Sequence, residues 1–435
     1  MTFEELAERL DRRAPGRWEL YRKSSRGRER ESGAGFVRLA VRAEQGWAAR
    51  WWAGEPAGLR FAASSSAEGL AAAVADASEM PAREEAPPAW PGRRTAAARA
   101  SVRGPEAEDE APVEDPPDLA AALEAALSSA GTDGPKTTLR ALALRAGRAH
   151  ERIANAGGTD VSQTLAALDG FAAATSRRGS AARSARAAFR WPAAPADPEA
   201  LVAALARRLS DAAALPLSER PSPFRTGQWL LAPPVAAAVL AAIAPVFCGA
   251  KGPGWLQRES AAAPGVRIVD DAGPEARWDG EGTASRRMLL VDSGEVVARL
   301  YDLRAAASAG GKSTGHGVRP SFREPPRCGP RRIFFEAREP ASAERIAASV
   351  RRGLEARALT APVRVDLATD RYEVEFTGVS IAGGREQGPV AGARATGRVS
   401  ELLRRIEAIG SDLEFFPMPF LAGAGTVLVE RASFD

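Results

Sequence analysis

Residues 3–13 place Phe3, Leu6 and Leu10 on one face of a helical repeat, so an amphipathic helix is predicted at the start of the chain. From Arg17 to Gly54 the period falls to two. Trp18-Glu19-Leu20-Tyr21-Arg22 leads through a polar turn into Gly35-Phe36-Val37-Arg38-Leu39-Ala40-Val41-Arg42, and Gly46-Trp47-Ala48-Ala49-Arg50-Trp51-Trp52 follows. This alternation predicts a strand meander. Ser64-Ser65-Ser66 before Ala67-Glu68 supplies an N-cap for a helix running to about Ser78. The helix–meander–helix order marks a first α+β lobe over residues 1–80.

Residues 81–117 change character. Pro87-Pro88, Pro105 and Pro116-Pro117 flank an acidic cluster of Glu106, Glu108, Asp109, Glu110, Glu114 and Asp115. This predicts an extended linker. A middle α+β segment, 118–220, begins with a helix over 118–130 and continues as strands through Thr137–Asn155 and Val161–Ala173. It ends in a helix over 197–215 carrying Leu201, Leu205 and Leu209. Residues 221–435 are rich in glycine and short alternating runs, which predicts a β-rich domain interrupted by helices near 340–357 and 399–409. The fold class expected is α+β, an N-terminal α/β lobe with an antiparallel strand meander followed by a β-rich C-terminal domain with a few packing helices.

Composition narrows the function. The longest apolar run, Val235–Phe247, contains Pro245 and falls short of the roughly 20 residues needed to cross a bilayer. The acidic N-terminus, MTFEELAERL, lacks the pattern of a secretion signal, so a cytoplasmic location without membrane contact is expected. The formal net charge is only +4, and the basic cluster Arg22–Arg30 is interrupted by Glu29, so a nucleic-acid partner is not expected. Cys248 and Cys328 are distant in sequence and have no CxxC partner, so they are expected to be buried reduced thiols.

Several blocks in order resemble the TldD/TldE (PmbA) family. In the first half these are Gly35-Phe36-Val37-Arg38 with Gly46-Trp47-Ala48, and Glu151–Gly157. The second half carries Val266-Arg267-Ile268-Val269-Asp270-Asp271, Trp278-Asp279-Gly280-Glu281-Gly282-Thr283, Arg287–Glu295, Leu300–Ala306 and Ser313-Thr314-Gly315. Gly388-Pro389-Val390 and Glu401–Glu414 complete the set. The resemblance covers nearly the whole second half and only loosely the first. It implies a heterodimer in which a TldD-type subunit carries a HExxxH zinc-peptidase site and a TldE-type subunit lacks it, the pair trimming unstructured polypeptides.

Zinc hydrolysis needs three protein ligands, an open position for water and a base. Where peptidase-type members carry HExxxH, this chain reads Leu230–Pro245, LLAPPVAAAVLAAIAP, a packing helix of alanine and aliphatic residues. The whole chain holds two histidines, His150 and His316, and the C-terminal cysteine that the resemblance would supply is missing from 370–384. No catalytic or metal-binding residue is therefore assigned to this chain, and zinc is expected only in a partner subunit. His316 lies on a glycine-flanked loop, where an exposed histidine is expected, and Ser313-Thr314 has no base beside it in sequence. Asp270, Asp271, Asp279, Glu281, Thr314 and His316 remain as candidate cleft or partner contacts. The reading is a non-catalytic TldE/PmbA-like subunit paired with a TldD-like partner or with itself. The alternative is a stand-alone scaffold of the same fold.

Overall fold

The first helix shows how local chemistry sets an element. Glu5 N–H donates to the Thr2 hydroxyl at 3.1 Å and Thr2 N–H donates to the Glu5 carboxylate at 2.9 Å, a closed capping box. α1 (Phe3–Arg13) then buries Phe3, Leu6 and Leu10, the three residues its periodicity selects. The structure is a computed structural model that describes residues 1–33, 35–53, 58–76, 83–84, 88, 90, 113–129, 136–178, 181–192, 197–214, 222–257, 260–273 and 276–435. Most of the 81–117 connection, including Glu106–Glu110, lies outside the described residues.

One antiparallel sheet runs through both the first lobe and the middle segment. Its strands are β1 (Trp18–Gly33), β2 (Phe36–Ala53), β3 (Gly58–Ser64), β4 (Arg83–Glu84), β5 (Lys136–Asn155), β6 (Asp160–Arg178) and β7 (Ala181–Pro192). Their spatial order is β4-β3-β2-β1-β5-β6-β7, so β1 is the seam that joins the two segments, pairing Glu19 with Asn155 and Gly33 with Ala141. Helices cover one face. α1 and α2 (Ala67–Ala75) pack on Trp47, Ala49 and Trp51 at the β3 end. α3 (Ala120–Ser129) and α4 (Pro198–Ala214) pack on Leu142, Leu144, Ala172 and Ala187 at the β7 end. The opposite face presents Tyr21, Ala48, Ile153 and Val161 to Trp278 and Phe322 of the C-terminal domain.

That domain is built from two sheets around one core. The first has the order β11-β10-β9-β14-β21-β20, from β9 (Val266–Asp270), β10 (Met288–Asp292), β11 (Glu295–Val296), β14 (Arg332–Ala337), β20 (Glu414–Pro417) and β21 (Leu421–Ala424). The second holds β8 (Thr226–Leu231), β15 (Arg352–Leu359), β16 (Arg364–Asp366), β17 (Arg371–Ala382), β18 (Arg385–Gly397), β19 (Ile406–Ile409) and β22 (Val427–Phe434). Within it β15, β8, β22, β18 and β17 pair in a closed ring, which leaves no free edge among those five. A short ribbon of β12 (Gly317–Val318) and β13 (Arg327–Cys328) sits beside them. Between the sheets lies α5 (Pro233–Ile243), whose Val235, Val239, Leu240 and Ile243 are buried, as are Ala236, Ala237 and Ala238.

The fold is α+β as the alternating patterns predict. Two predicted helices are shorter than the sequence pattern extends. α6 (Ala343–Ser349) ends before Arg352, where β15 begins, and α7 (Val399–Arg404) gives way to β19 at Ile406. Leu354 and Ile406 are apolar enough to continue either helix. Their pairing with Trp229 and Val429 of the ring takes them into strands instead.

Candidate functional site: the junction and cleft between the lobes

Arg50 carries the junction. It is the one charge in the Trp47–Trp52 run, and on the face of β2 that turns toward the C-terminal domain its guanidinium is 4% exposed. It donates to Glu19 at 2.8 Å within the N-terminal sheet and to Glu281 at 2.5 Å across the junction. Arg319 closes the ring, reaching Glu19 and, at 2.6 Å, the Gly280 carbonyl. Burial opposes the Arg50 charge, but the two carboxylates outweigh it and hold the proton more firmly than usual.

The candidate acidic residues fall into this junction. Asp279 accepts from the backbone N–H groups of Glu281 (2.9 Å), Thr283 (2.8 Å) and Gly317 (2.8 Å), so it ties two loops together. Burial raises its pKa despite those three donors. Glu281 accepts from Arg50 on one oxygen and from Leu303 N–H at 2.7 Å on the other. Burial pushes its pKa up, Arg50 pulls it down, and the charges of Asp279, Glu19 and Asp302 add to the rise, giving about 8. Asp270, fully buried, accepts from Arg331 N–H and meets His316 Nε2, both at 3.0 Å. Asp271 stands apart, half-buried, capping the turn at Gly273 N–H (3.1 Å) beside Arg332.

Two expectations are corrected here. His316 is 1% exposed, because the left-handed Gly315 (φ +82°) turns the loop inward to Asp270. Thr314 does have an imidazole beside it, with His316 Nδ1 at 2.9 Å from its hydroxyl. The same hydroxyl accepts Tyr301 N–H at 2.8 Å and lies 3.2 Å from the Tyr301 carbonyl, so it clasps the loop. His150 stays in the long hairpin, its Nδ1 3.2 Å from the Thr164 hydroxyl. The cysteines, distant in sequence, are in contact. Cys328 Sγ donates to the Leu300 carbonyl at 3.1 Å, the same oxygen that accepts Gly249 N–H at 2.9 Å, and its thiol raises the pKa of Cys248.

Sequence reasoning missed Arg50, Glu19 and Arg319. The available signal was Arg50 itself, a single charge among tryptophans and alanines in a strand buried on both faces. Such a residue needs a carboxylate partner from elsewhere in the chain.

A separate cleft opens where the outer edge of β7 faces the start of α5 and β20. One cavity of about 550 Å³ is lined by Ala188, Pro233, Pro234, Arg357, Phe416 and Met418. A neighbouring one of about 440 Å³ lies over Phe189, Leu205 and Phe415. Arg208 clamps the wall between them, holding Glu414 through two nitrogens at 3.0 and 2.6 Å. α5 enters this cleft with Pro, Val, Ala, Leu and Ile only, so its donor set does not fit a zinc ion. Among the described residues no three His, Cys, Asp or Glu side chains are grouped to hold a metal. Nor is any described helix long and apolar enough to cross a membrane.

Residues 231–435 match the family model described as the PmbA/TldA metallopeptidase C-terminal domain. The C-terminal half belongs to the PmbA/TldD family. Across the whole chain the fold is that of TldE from Thermococcus kodakarensis, with a TM-score of 0.82, 18% identity and 99% of each chain covered. A candidate modulator of a DNA gyrase from Thermotoga maritima gives 0.78 at 16% identity, covering 100% of both chains. Its counterpart from Bacteroides thetaiotaomicron gives 0.69 at 15% identity, covering 99% of this chain and 98% of that one. Among curated proteins none matches this chain significantly.

Proposed function

We propose that this chain is the non-catalytic, TldE/PmbA-like subunit of a TldD/TldE-type metallopeptidase complex in the cytoplasm. A HExxxH-bearing partner would hold the zinc, and this chain would supply part of the wall of the chamber in which unstructured polypeptides are cut. The observation that carries the reading is α5, which reaches the cleft without one donor side chain while Val235, Ala236, Ala237 and Leu240 are packed to near-zero exposure. Its room is filled by aliphatic contacts, so a ligand set would need a rebuilt core. An extended substrate fits the cleft by adding to the outer edge of β7, which pairs only with β6 among the described residues.

The test is co-expression with a HExxxH-bearing paralogue, followed by purification, metal analysis and a peptidase assay on an unfolded polypeptide. The expected result is a stable complex with zinc and activity that both depend on the partner's histidines. Stoichiometric zinc with peptidase activity in the isolated chain would overturn the reading.

A further inference from the structure

The β1–β2 hairpin reaches past the rest of its sheet. β3 pairs with β2 only from Trp47 to Ala53, so the outer edge of β2 over Phe36–Gly46 has no backbone partner among the described residues. Along that edge Val37, Leu39 and Val41 are 58%, 56% and 73% exposed, and Ala43 continues the row. Facing positions in the sheet show where this row belongs. Val37 lies opposite Ser32 and then Leu142, and Leu39 opposite Arg30 and then Leu144. Leu142 and Leu144 are buried under α3 and α4, whereas no described helix covers the β2 row on the same face. Protein edges are ordinarily protected by short length, inward charge, proline or a bulge. This one has regular register with β1 throughout and no proline.

We propose that Phe36–Gly46 pairs antiparallel with the same segment of a second copy of this chain, across a two-fold axis at Val41. The register follows from charge and length. An axis at Val41 uses the whole free edge, Phe36 opposite Gly46, and sets Arg38 opposite Glu44 twice by symmetry. Val41 meets Val41, Leu39 meets Ala43, and Arg42 lies opposite Ala40. An axis at Ala40 would oppose Arg38 and Arg42, and one at Arg42 would oppose that arginine to itself. An axis at Leu39 pairs only Phe36–Arg42. Glu44 is free to re-partner, since its contact with Arg323 is a 3.4 Å pair at the surface. Arg42 keeps Glu29 on its own hairpin at 2.7 Å. The two apolar rows then lie side by side on one face, flanked by α3 of each copy. This interface is separate from the β7 cleft and does not depend on the peptidase-subunit reading.

Sedimentation of the full chain alone, over a range of micromolar concentrations, tests the pairing. Wild type forms a dimer, and V41R is monomeric at the same concentrations and melts where dissociated wild type does at high dilution, because Val41 is mostly solvent-exposed in the single chain. R38E weakens the dimer roughly tenfold by opposing like charges at two symmetric places, and the exchange R38E/E44R restores it. Hydrogen exchange in Phe36–Gly46 slows as the dimer fills. A wild-type monomer throughout, a dimer that survives V41R, or no recovery in the exchanged variant overturns the proposal. Loss of association with a HExxxH paralogue would bear on the peptidase-subunit reading and leave this one intact.

Discussion

Arg50 and Glu281, 231 residues apart in sequence, meet at 2.5 Å with both side chains buried, and this contact fastens the N-terminal sheet to the C-terminal domain. Removing the cation leaves Glu19 and Glu281 facing each other without water. Above about pH 8, where Glu281 as well as Glu19 is charged, Arg50→Met is therefore expected to destabilise the chain by about 3–5 kcal/mol, the cost of breaking a buried pair from one side. Urea unfolding measures it, and a loss under about 1 kcal/mol would mean that Arg319 takes over both carboxylates.

The same carboxylate makes stability depend on pH. Glu281 is raised by burial, and further by neighbouring charges, to about 8 in the folded chain, against an ordinary value of 4.5. Between those values the folded state binds a proton that the unfolded state has released. The unfolding free energy therefore falls as pH rises across that window. The stabilisation is complete below about pH 4.5 and is lost as pH passes about 8. Chemical denaturation at a series of pH values is expected to show this decline, by an amount on the order of a few kcal/mol. Glu281→Gln, which cannot titrate, is expected to flatten it.

Gly282 tests how closely the two lobes approach. Its φ is +74°, and a Cβ there would stand 2.8 Å from the Thr159 methyl and 3.3 Å from Val161 on the N-terminal sheet. Backbone strain and steric contact act together, so Gly282→Ala is expected to cost about 1–3 kcal/mol. Gly310→Ala is a matched control. It also has positive φ (+63°), but nothing stands within 4 Å of the added carbon. Thermal melts should separate the two, and equal losses would show that strain alone is at work.

How much of this was legible in the chain depended on the range of the interactions. α1 and α5 follow from local periods and formed where the pattern placed them, whereas in the meander β1 continues through the expected polar turn to Gly33 and β2 runs unbroken through two expected strands. The joining of both N-terminal segments into one sheet rests on β1 pairing with β5, more than a hundred residues away, and no local period encodes that. The acidic motif around Asp279 and Glu281 was visible, but its partner was not, because Arg50 lies on a strand of the other lobe. His316 was misjudged for the same reason. A glycine-flanked loop permits both an outward and an inward histidine, and the buried Asp270 decides between them.

The two cysteines give a chemical test of the C-terminal core. The neighbouring Cys328 thiol, and then burial, hold the Cys248 thiol well above its ordinary pKa. Little thiolate therefore forms at neutral pH, and the thiolate is the reactive species. Iodoacetamide is expected to label Cys248 at least ten times more slowly in the folded chain than in urea. In Cys328→Ser the folded rate should rise as the raising partner is weakened. Peptide mass spectrometry after timed quenching reads both, and rapid labelling of folded Cys248 would contradict the contact.

The cleft prediction joins the geometry to function. Ala188 is exposed on β7 at the mouth of the 550 Å³ cavity, and its carbonyl accepts from Arg208 at 3.3 Å, which holds the edge in place. A tryptophan there would project between Pro234 and Phe416 without disturbing the core, because Ala188 has little packing to lose. Ala188→Trp is expected to leave the melting temperature within a degree or two, roughly the range of a surface change. It should weaken binding of a fluorescently labelled unstructured polypeptide about tenfold or more by occupying the volume its side chains need. Ala182→Trp, exposed at the far end of the same strand and away from the cavity, serves as the control and should bind normally. If both variants bind like wild type, the β7 edge is not the polypeptide path. If both lose binding alike, the edge recognises chain along its whole length rather than at the α5 cavity.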